Sequence, residues 1–162
     1  MKEKIGVFVG TFDPFTIGHA SIVRRALPLF DRLVIGVVGD NVQKPGMTPV
    51  DARMKPISQL YAGDSRIQVQ AYHGLAVDFA RSVGAGFIVK GVRSVKDFEY
   101  EREQAEINRL ITDGHVETVF LLAEPHLASI SSSMVRELSH FGLDVSQFLP
   151  LKPEPCILEL ET

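Results

Sequence analysis

Short apolar runs alternate with longer segments of helical periodicity along the chain. The runs are rich in β-branched residues and carry apolar side chains at successive positions, which is typical of parallel strands buried on both faces. They cover residues 5–9, 33–38, 67–71, 87–89 and 118–122. Five such strands, separated by helical segments, predict one α/β domain with a doubly wound, five-stranded parallel sheet.

The segments between these strands predict five helices. They cover residues 18–30, 50–62, 75–83, 97–113 and 131–141. Asp97 precedes a stripe of spaced apolar positions and is predicted as the N-cap of the fourth helix. Pro56 lies inside the second helical pattern and is expected to bend or interrupt it, because proline removes a backbone donor.

The length and composition are those of one globular domain. The chain has 162 residues, of which 45% are hydrophobic and 23% charged, and a chain of this length buries a single core without a disulfide or metal. Pro150, Pro153 and Pro155 make the last residues a poor continuation of any helix. We therefore predict a domain over residues 1–149 and a tail over residues 150–162.

The charge balance argues against two classes of partner. Seventeen Lys and Arg residues oppose 20 Asp and Glu, for a formal net charge of −3. This gives no broad basic surface for a nucleic acid or an anionic membrane. The N-terminus lacks the apolar core of a signal peptide, and Cys156 is the single cysteine. We expect a cytoplasmic domain without a protein-held metal, a nucleic-acid partner or a membrane partner.

The segment GTFDPFTIGH, residues 10–19, lies between the first predicted strand and helix. Ligands of open α/β sheets usually bind at this strand edge. Gly10 lets a ligand approach the backbone, Thr11 offers an N–H and a hydroxyl, and Gly18 allows a close helix start. His19 can direct a ring N–H at an anion favoured by the helix N-terminus. Taken alone, such a segment is more often a connecting loop with a partly buried, hydrogen-bonded histidine.

A second anion-binding pattern follows the fifth predicted strand. Residues 130–136, ISSSMVR, supply hydroxyls, backbone N–H groups and an arginine at a helix start. Helix capping would use one hydroxyl only, and no Glu or Gln follows any of these serines by three residues to form a capping box. The surplus hydroxyls favour a functional interpretation, and two such helix starts suit one polyphosphate.

Together these motifs resemble the phosphopantetheine adenylyltransferases of the nucleotidylyltransferase superfamily. The first signature is GTFDP with TIGH, the central one is KGVR at residues 90–93 followed by DFEYE at residues 97–101, and the last is ISSS. They occur in the family's order and spacing across residues 4–149. The first and last signatures indicate only the superfamily, whereas the central one restricts the choice of substrate within it.

The resemblance implies a Rossmann-like fold and a reaction. ATP and 4′-phosphopantetheine would give dephospho-coenzyme A and pyrophosphate, the penultimate step of coenzyme A synthesis. The acceptor phosphate is mostly dianionic at neutral pH, so its attack on the α-phosphorus needs no general base. The resemblance further implies Mg²⁺ carried with ATP, coenzyme A as a candidate inhibitor, and a homohexamer built as a dimer of trimers.

The resemblance also assigns residues. His19 would stabilise the transition state and Thr11 would orient the nucleophilic phosphate. The positions implied for nucleotide binding are Gly10, Thr11, Phe12, Gly18, His19, Gly91, Val92, Arg93, Glu101, Leu127, Ala128, Ser129, Ile130, Ser131, Ser132 and Ser133. Those implied for the acceptor are Thr11, Gln43, Lys44, Leu75, Ala76 and Lys90.

Two positions depart from the family pattern. Lys90 stands where relatives commonly carry arginine, which keeps the charge but loses the bidentate fork. The basic residue expected after the second strand falls on Gln43, with Lys44 one position later. Two alternatives therefore stay open. One is a nucleotidylyltransferase for another phosphorylated acceptor, and the other is a nucleotide-binding sensor without turnover.

Overall fold

The computed structural model describes residues 1–39 and 46–156. Its strands form one parallel sheet in the order β3-β2-β1-β4-β5. Their bounds are β1 Ile5–Gly10, β2 Arg32–Val38, β3 Ile67–Tyr72, β4 Phe87–Val92 and β5 Glu117–Leu122. The predicted five-stranded parallel sheet is confirmed.

Five α-helices connect and follow the strands. They are α1 Ile17–Ala26, α2 Val50–Leu60, α3 Ala76–Ser82, α4 Val95–Ile111 and α5 Ser132–His140. Short 3₁₀ turns cover Leu27–Leu29, Pro125–Leu127 and Ser146–Phe148. Each predicted helix is present with shifted ends, and α2 continues through Pro56 to Leu60.

The predicted cap of α4 is wrong. The helix begins at Val95, and the N-cap is Ser94, whose hydroxyl accepts the N–H of Asp97 across 3.2 Å. Asp97 lies in the first turn, where its carboxylate accepts the N–H of Arg93 at 3.3 Å. A serine one turn earlier therefore takes the capping role, and the acidic side chain complements the positive end of the helix dipole.

Two apolar layers cover the two faces of the sheet. On one face, Ile22, Val23 and Ala26 of α1 and Ile57 of α2 pack against Leu33 and other strand residues. On the opposite face, Val77 and Ala80 of α3 pack against Val7, Val34 and Ile88. Phe98 of α4 contacts Phe120 of β5, with the ring centroids 5.7 Å apart. Helices on both faces are the defining property of a doubly wound sheet.

The prediction that all five strands are buried on both faces is wrong for β3 and β5. These are the edge strands, and most of their residues are partly or fully exposed. The central strands β1 and β2 are buried almost throughout. An edge strand has only one neighbouring strand, so a prediction from its local sequence overestimates its burial.

Residues 153–156, the last described part of the tail, lie beside α1 and the end of α2. Cys156 is buried, and Oε2 of Glu154 forms an ion pair with Nε of Arg24 at 3.1 Å. The proposed boundary at residue 149 stays a prediction. Over the ranges that the structure describes, no helix combines the length and apolarity needed to cross a membrane.

Candidate functional site

The first and central motifs meet at the middle of the sheet. Strands β1 and β4 are neighbours, and the chain leaves them toward opposite sides, to β2 and to β5. This is the topological switch point, where a crevice opens beyond the carboxyl ends of the strands. Thr11 and Phe12 follow β1 directly, and Lys90, Gly91 and Val92 end β4.

The last motif joins this crevice through hydrogen bonds to the first. The hydroxyl of Ser132 donates to the carbonyl of Pro14 at 2.8 Å, and Nη1 of Arg136 donates to the carbonyl of Asp13 at 2.6 Å. A Cβ built on Gly18 would lie 3.8 Å from the carbonyl oxygen of Ile130, so the two helix starts approach closely. The structure therefore brings both predicted anion-binding patterns together.

His19 is held by a reciprocal cap at the start of α1. Its Nδ1 accepts the backbone N–H of Thr16 at 2.9 Å, and its own N–H donates to the Thr16 hydroxyl at 3.4 Å. A neutral imidazole whose Nδ1 accepts carries its proton on Nε2. The sequence offered two interpretations of His19, a hydrogen-bonded histidine and a donor to an anion. The two are compatible, because Nδ1 accepts the hydrogen bond and Nε2 carries the proton.

The surroundings of His19 keep the ring neutral. It packs among the rings of Phe12 and Phe15, with centroids 5.0 and 5.3 Å away. Burial, followed by the positive charge of Arg93, lowers the pKa of His19 from 6.5 to about 4. At neutral pH the site therefore presents an uncharged Nε2–H donor beside a cationic side chain.

The turn after β1 is built around Phe12. This residue adopts a φ of 51°, and its ring is buried against Phe8 and Phe15. A Cβ on Gly10 would lie 2.9 Å from the Phe12 ring, so glycine is required here by the ring. The Phe12 side chain thus fills the core directly after β1 ends.

The two cations of the central motif each have an acidic partner. Nζ of Lys90 lies 3.4 Å from Oε2 of Glu101, and Nε of Arg93 lies 3.4 Å from Oδ2 of Asp97. Lys90 and Glu101 were predicted for the acceptor and the nucleotide respectively, and the structure brings them into contact with each other. Gly91 has another role, since a Cβ there would lie 3.0 Å from Ile22 of α1.

The serine hydroxyls of the last motif have partners inside the chain. Ser131 caps α5 by accepting the N–H of Met134 at 3.1 Å, Ser132 bonds Pro14, and Ser133 accepts from Arg136 at 3.3 Å. The hydroxyls beyond the cap are therefore hydrogen-bonded as well, and their role toward a ligand stays a prediction. An anion at this place would also meet the first N–H groups of α5, which have no acceptor within the helix.

The remaining predicted residues divide into three groups. Leu127 is buried, and Ala128, Ser129 and Ile130 lead from it to the cap of α5. Leu75 is exposed just before α3, which begins at Ala76 near the carboxyl end of β3. Gln43 and Lys44 lie outside the described residues.

Arg53 of α2 is the main site residue that the sequence reasoning missed. It is only 4% exposed, and its guanidinium donates to the carbonyls of Thr48 at 2.6 Å, Thr11 at 2.7 Å and Val38 at 2.9 Å. One sequence signal was available, because Val50, Arg53 and Ile57 follow the spacing of a buried helix stripe. A charged residue on such a stripe indicates a specific buried partner.

No protein-held metal centre is evident in this crevice. Within residues 1–39 and 46–156, no three His, Cys, Asp or Glu side chains cluster in a way that could hold a metal ion.

Comparison with known proteins identifies the family. A family profile described as cytidylyltransferase-like matches residues 7–138. The chain belongs to this family. Its similarity to individual members is also high. The phosphopantetheine adenylyltransferase of Phocaeicola vulgatus is 52% identical over 144 residues, covering 89% of this chain and 93% of the relative. That of Porphyromonas gingivalis W83 is 48% identical over 150 residues, covering 93% and 96%.

A solved structure supports the fold of this cytidylyltransferase-like chain. The crystal structure of a bifunctional NMN adenylyltransferase/ADP ribose pyrophosphatase from Francisella tularensis superposes with a TM-score of 0.66 at 15% identity. The match covers 91% of this chain and 45% of that protein. At this identity the likeness extends to the Rossmann-like architecture alone.

Proposed function

We propose that this chain transfers the adenylyl group of ATP to 4′-phosphopantetheine, forming dephospho-coenzyme A and pyrophosphate. The observation that carries the proposal is the oriented, neutral His19 donor at the crevice where the two predicted anion-binding patterns meet. High identity to several phosphopantetheine adenylyltransferases supports the choice of acceptor.

The reaction is a displacement at the α-phosphorus of ATP. An oxygen of the acceptor phosphate forms a bond to that phosphorus, and the bond to the bridging oxygen of the β-phosphate breaks to release pyrophosphate. The attacking dianion needs no base. Catalysis therefore consists of positioning the two phosphates and stabilising charge on the α-phosphoryl oxygens.

His19 is proposed to stabilise that charge. Nδ1 accepts from Thr16, so the neutral ring carries its proton on Nε2 and can donate it in a hydrogen bond. A donor fixed before the reaction requires no reorganisation as charge develops. Arg93 and the start of α5 are proposed to hold the ATP phosphates, and Phe12 to contribute backbone to the nucleotide.

On the acceptor side, Thr11 is proposed to orient the attacking phosphate and Lys90 to bind it. Lys90 must exchange or share its Glu101 contact when a phosphate arrives. The pantetheine arm is proposed to pass Leu75 and Ala76, whose apolar surface suits an uncharged amide chain. Coenzyme A, which carries the same arm, is proposed as an inhibitor of this subsite.

Mg²⁺ is proposed to enter as part of the ATP substrate. Its preferred ligands are phosphate oxygens and water, and within the described chain no acidic cluster competes for it. When bound, it neutralises charge on the polyphosphate.

We also propose self-association, as the family resemblance implies for a homohexamer. The outer face of α4 and the edge strand β5 support this, since Leu110 is 75% and Leu122 71% exposed. Tyr100, Ile107 and Ile111 of α4 are also at least half exposed. Sedimentation velocity would test it: a hexamer is expected, and a monomer at micromolar concentration would contradict it.

A cytoplasmic location stays a prediction from the sequence.

The function is tested by pyrophosphate release from ATP and Mg²⁺, with 4′-phosphopantetheine and nicotinamide mononucleotide in parallel. Release that requires phosphopantetheine is the expected result. Release with nicotinamide mononucleotide would identify another acceptor. ATP binding without release in either reaction would instead support the sensor.

A further inference from the structure

The guanidinium of Arg53 ties together three separate backbone segments at the carboxyl edge of the sheet. Thr11 follows β1, Val38 ends β2, and Thr48 precedes α2, and each gives its carbonyl oxygen to Arg53 within 2.9 Å. The Arg53–Thr11 pair is separated by 42 residues in the chain. One side chain thus sets the relative positions of the segments beneath the proposed phosphate site.

A second connection closes the same network from the crevice side. The N–H of Thr48 donates to Oδ2 of Asp13 at 3.0 Å, and the carbonyl of Asp13 accepts from Arg136 of α5. The turn after β1 is therefore held by Arg53 from within the fold and by Thr48 and Arg136 at its rim.

The bond to Thr11 has a directional consequence. In a trans peptide the C=O and the following N–H point in opposite directions. Because the Thr11 carbonyl accepts from Arg53, the N–H of Phe12 points away from Arg53. Phe12 keeps this orientation with φ at 51°, a conformation that non-glycine residues seldom adopt without support.

We infer that Arg53 is a positioning residue for adenylyl transfer: it orients the Thr11–Phe12 peptide so that the Phe12 N–H faces the phosphates. This rests on the proposed function. Arg53 itself is buried behind the turn and acts through the backbone. Its guanidinium also places a positive charge beneath the anion site.

The test compares three variants of the full-length chain. Arg53→Met removes the charge and all three bonds, whereas Arg53→Lys keeps the charge but lacks the planar fork. Lys55→Met is the matched control, since Lys55 is an exposed cation on the same helix. Substrate KM values and kcat are measured together with amide hydrogen exchange in the absence of substrates.

Arg53→Met is expected to lower kcat about 100-fold and Arg53→Lys about 10-fold, because small displacements of reacting groups cost factors of this size. The KM for ATP should change by less than about 5-fold, since misplacement affects the transition state most. Exchange should accelerate at the amides of residues 11–13 while β1 and β2 stay protected. Lys55→Met should match the wild type.

Arg53→Lys decides the question if Arg53→Met does not fold. A wild-type kcat in Arg53→Lys, or unchanged exchange at the amides of residues 11–13, would overturn the inference. Absence of turnover in the wild type would refute the proposed function alone. The exchange measurement would then still support or overturn the positioning role of Arg53, because it needs no reaction.

Discussion

The ring of His19 and the backbone of Thr16 are joined by a 2.9 Å hydrogen bond in which Nδ1 accepts the Thr16 N–H. This bond closes the N-terminus of α1 and also determines which ring nitrogen carries the proton. Helix capping usually assigns such a position to Glu or Gln. Here a histidine takes it, and the helix start gains an Nε2–H donor fixed in direction.

Replacing His19 should separate its capping role from its role in the reaction. His19→Ala is expected to lower kcat by at least about 100-fold with a small change in ATP affinity, because a donor to developing charge acts mainly in the transition state. It should also lower the free energy of unfolding by about 1 kcal/mol through the lost cap.

The matched variant is His19→Gln, since glutamine can accept the Thr16 N–H but cannot supply the ring donor. Urea unfolding should show near-normal stability, while steady-state kinetics should show the same loss in kcat as His19→Ala. A His19→Gln protein with normal turnover would assign His19 to the cap alone.

The low pKa of His19, about 4, predicts a specific dependence of stability on pH. In the unfolded chain the ring binds a proton near pH 6.5. Between these two values the unfolded state holds a proton that the native state lacks. The free energy of unfolding therefore falls as pH decreases from about 6.5 to about 4, and the His19 contribution is constant below that.

Urea unfolding of the wild type and His19→Gln at pH 7 and pH 4.5 measures this contribution as the difference between the two proteins. The wild type should lose more stability than the variant. A ¹H–¹⁵N titration of the imidazole should give a midpoint well below 6.5. An ordinary midpoint near 6.5 would show that the native ring is charged in mildly acidic solution.

Lys90 is expected to act on the acceptor side. Lys90→Ala should raise the KM for 4′-phosphopantetheine about tenfold, since one charge-assisted hydrogen bond contributes about 1.5 kcal/mol or more. The KM for ATP should change little. Lys96→Ala, which removes an exposed cation from the start of α4, serves as the control. Unchanged acceptor KM and kcat in Lys90→Ala would remove Lys90 from the site.

Gly10 should tolerate no side chain. A Cβ at this position meets the buried Phe12 ring at 2.9 Å, so Gly10→Ala is expected to lower the free energy of unfolding by about 1–3 kcal/mol through overpacking. Chemical denaturation measures the change. Gly63→Ala is the control, because no atom lies within 4 Å of its added Cβ. Equal stability of the two variants would contradict the packing constraint on the turn.

The order of strands and helices and the places of the three motifs could be predicted from the amino-acid sequence alone. These properties follow from local patterns: apolar runs, helical periodicity, and glycine or serine at element boundaries. The same patterns placed Gly10, His19 and Ser131 at strand and helix ends, where the structure has them. Local information was insufficient at the cap of α4 and at the two edge strands, where neighbours decide capping and burial.

The hydrogen-bond and ion-pair partners of the site residues, by contrast, depend on the tertiary structure. Ser132 reaches Pro14 across 118 residues and Arg53 reaches Thr11 across 42, while Lys90 finds Glu101 on the next helix. Such contacts depend on the packing of whole elements, which no local pattern encodes. The serine hydroxyls of the last motif, to which the sequence assigned no partners, are hydrogen-bonded in the fold. The buried Arg53 orients the backbone of the first motif, whose position was predictable from the sequence but whose orientation was not.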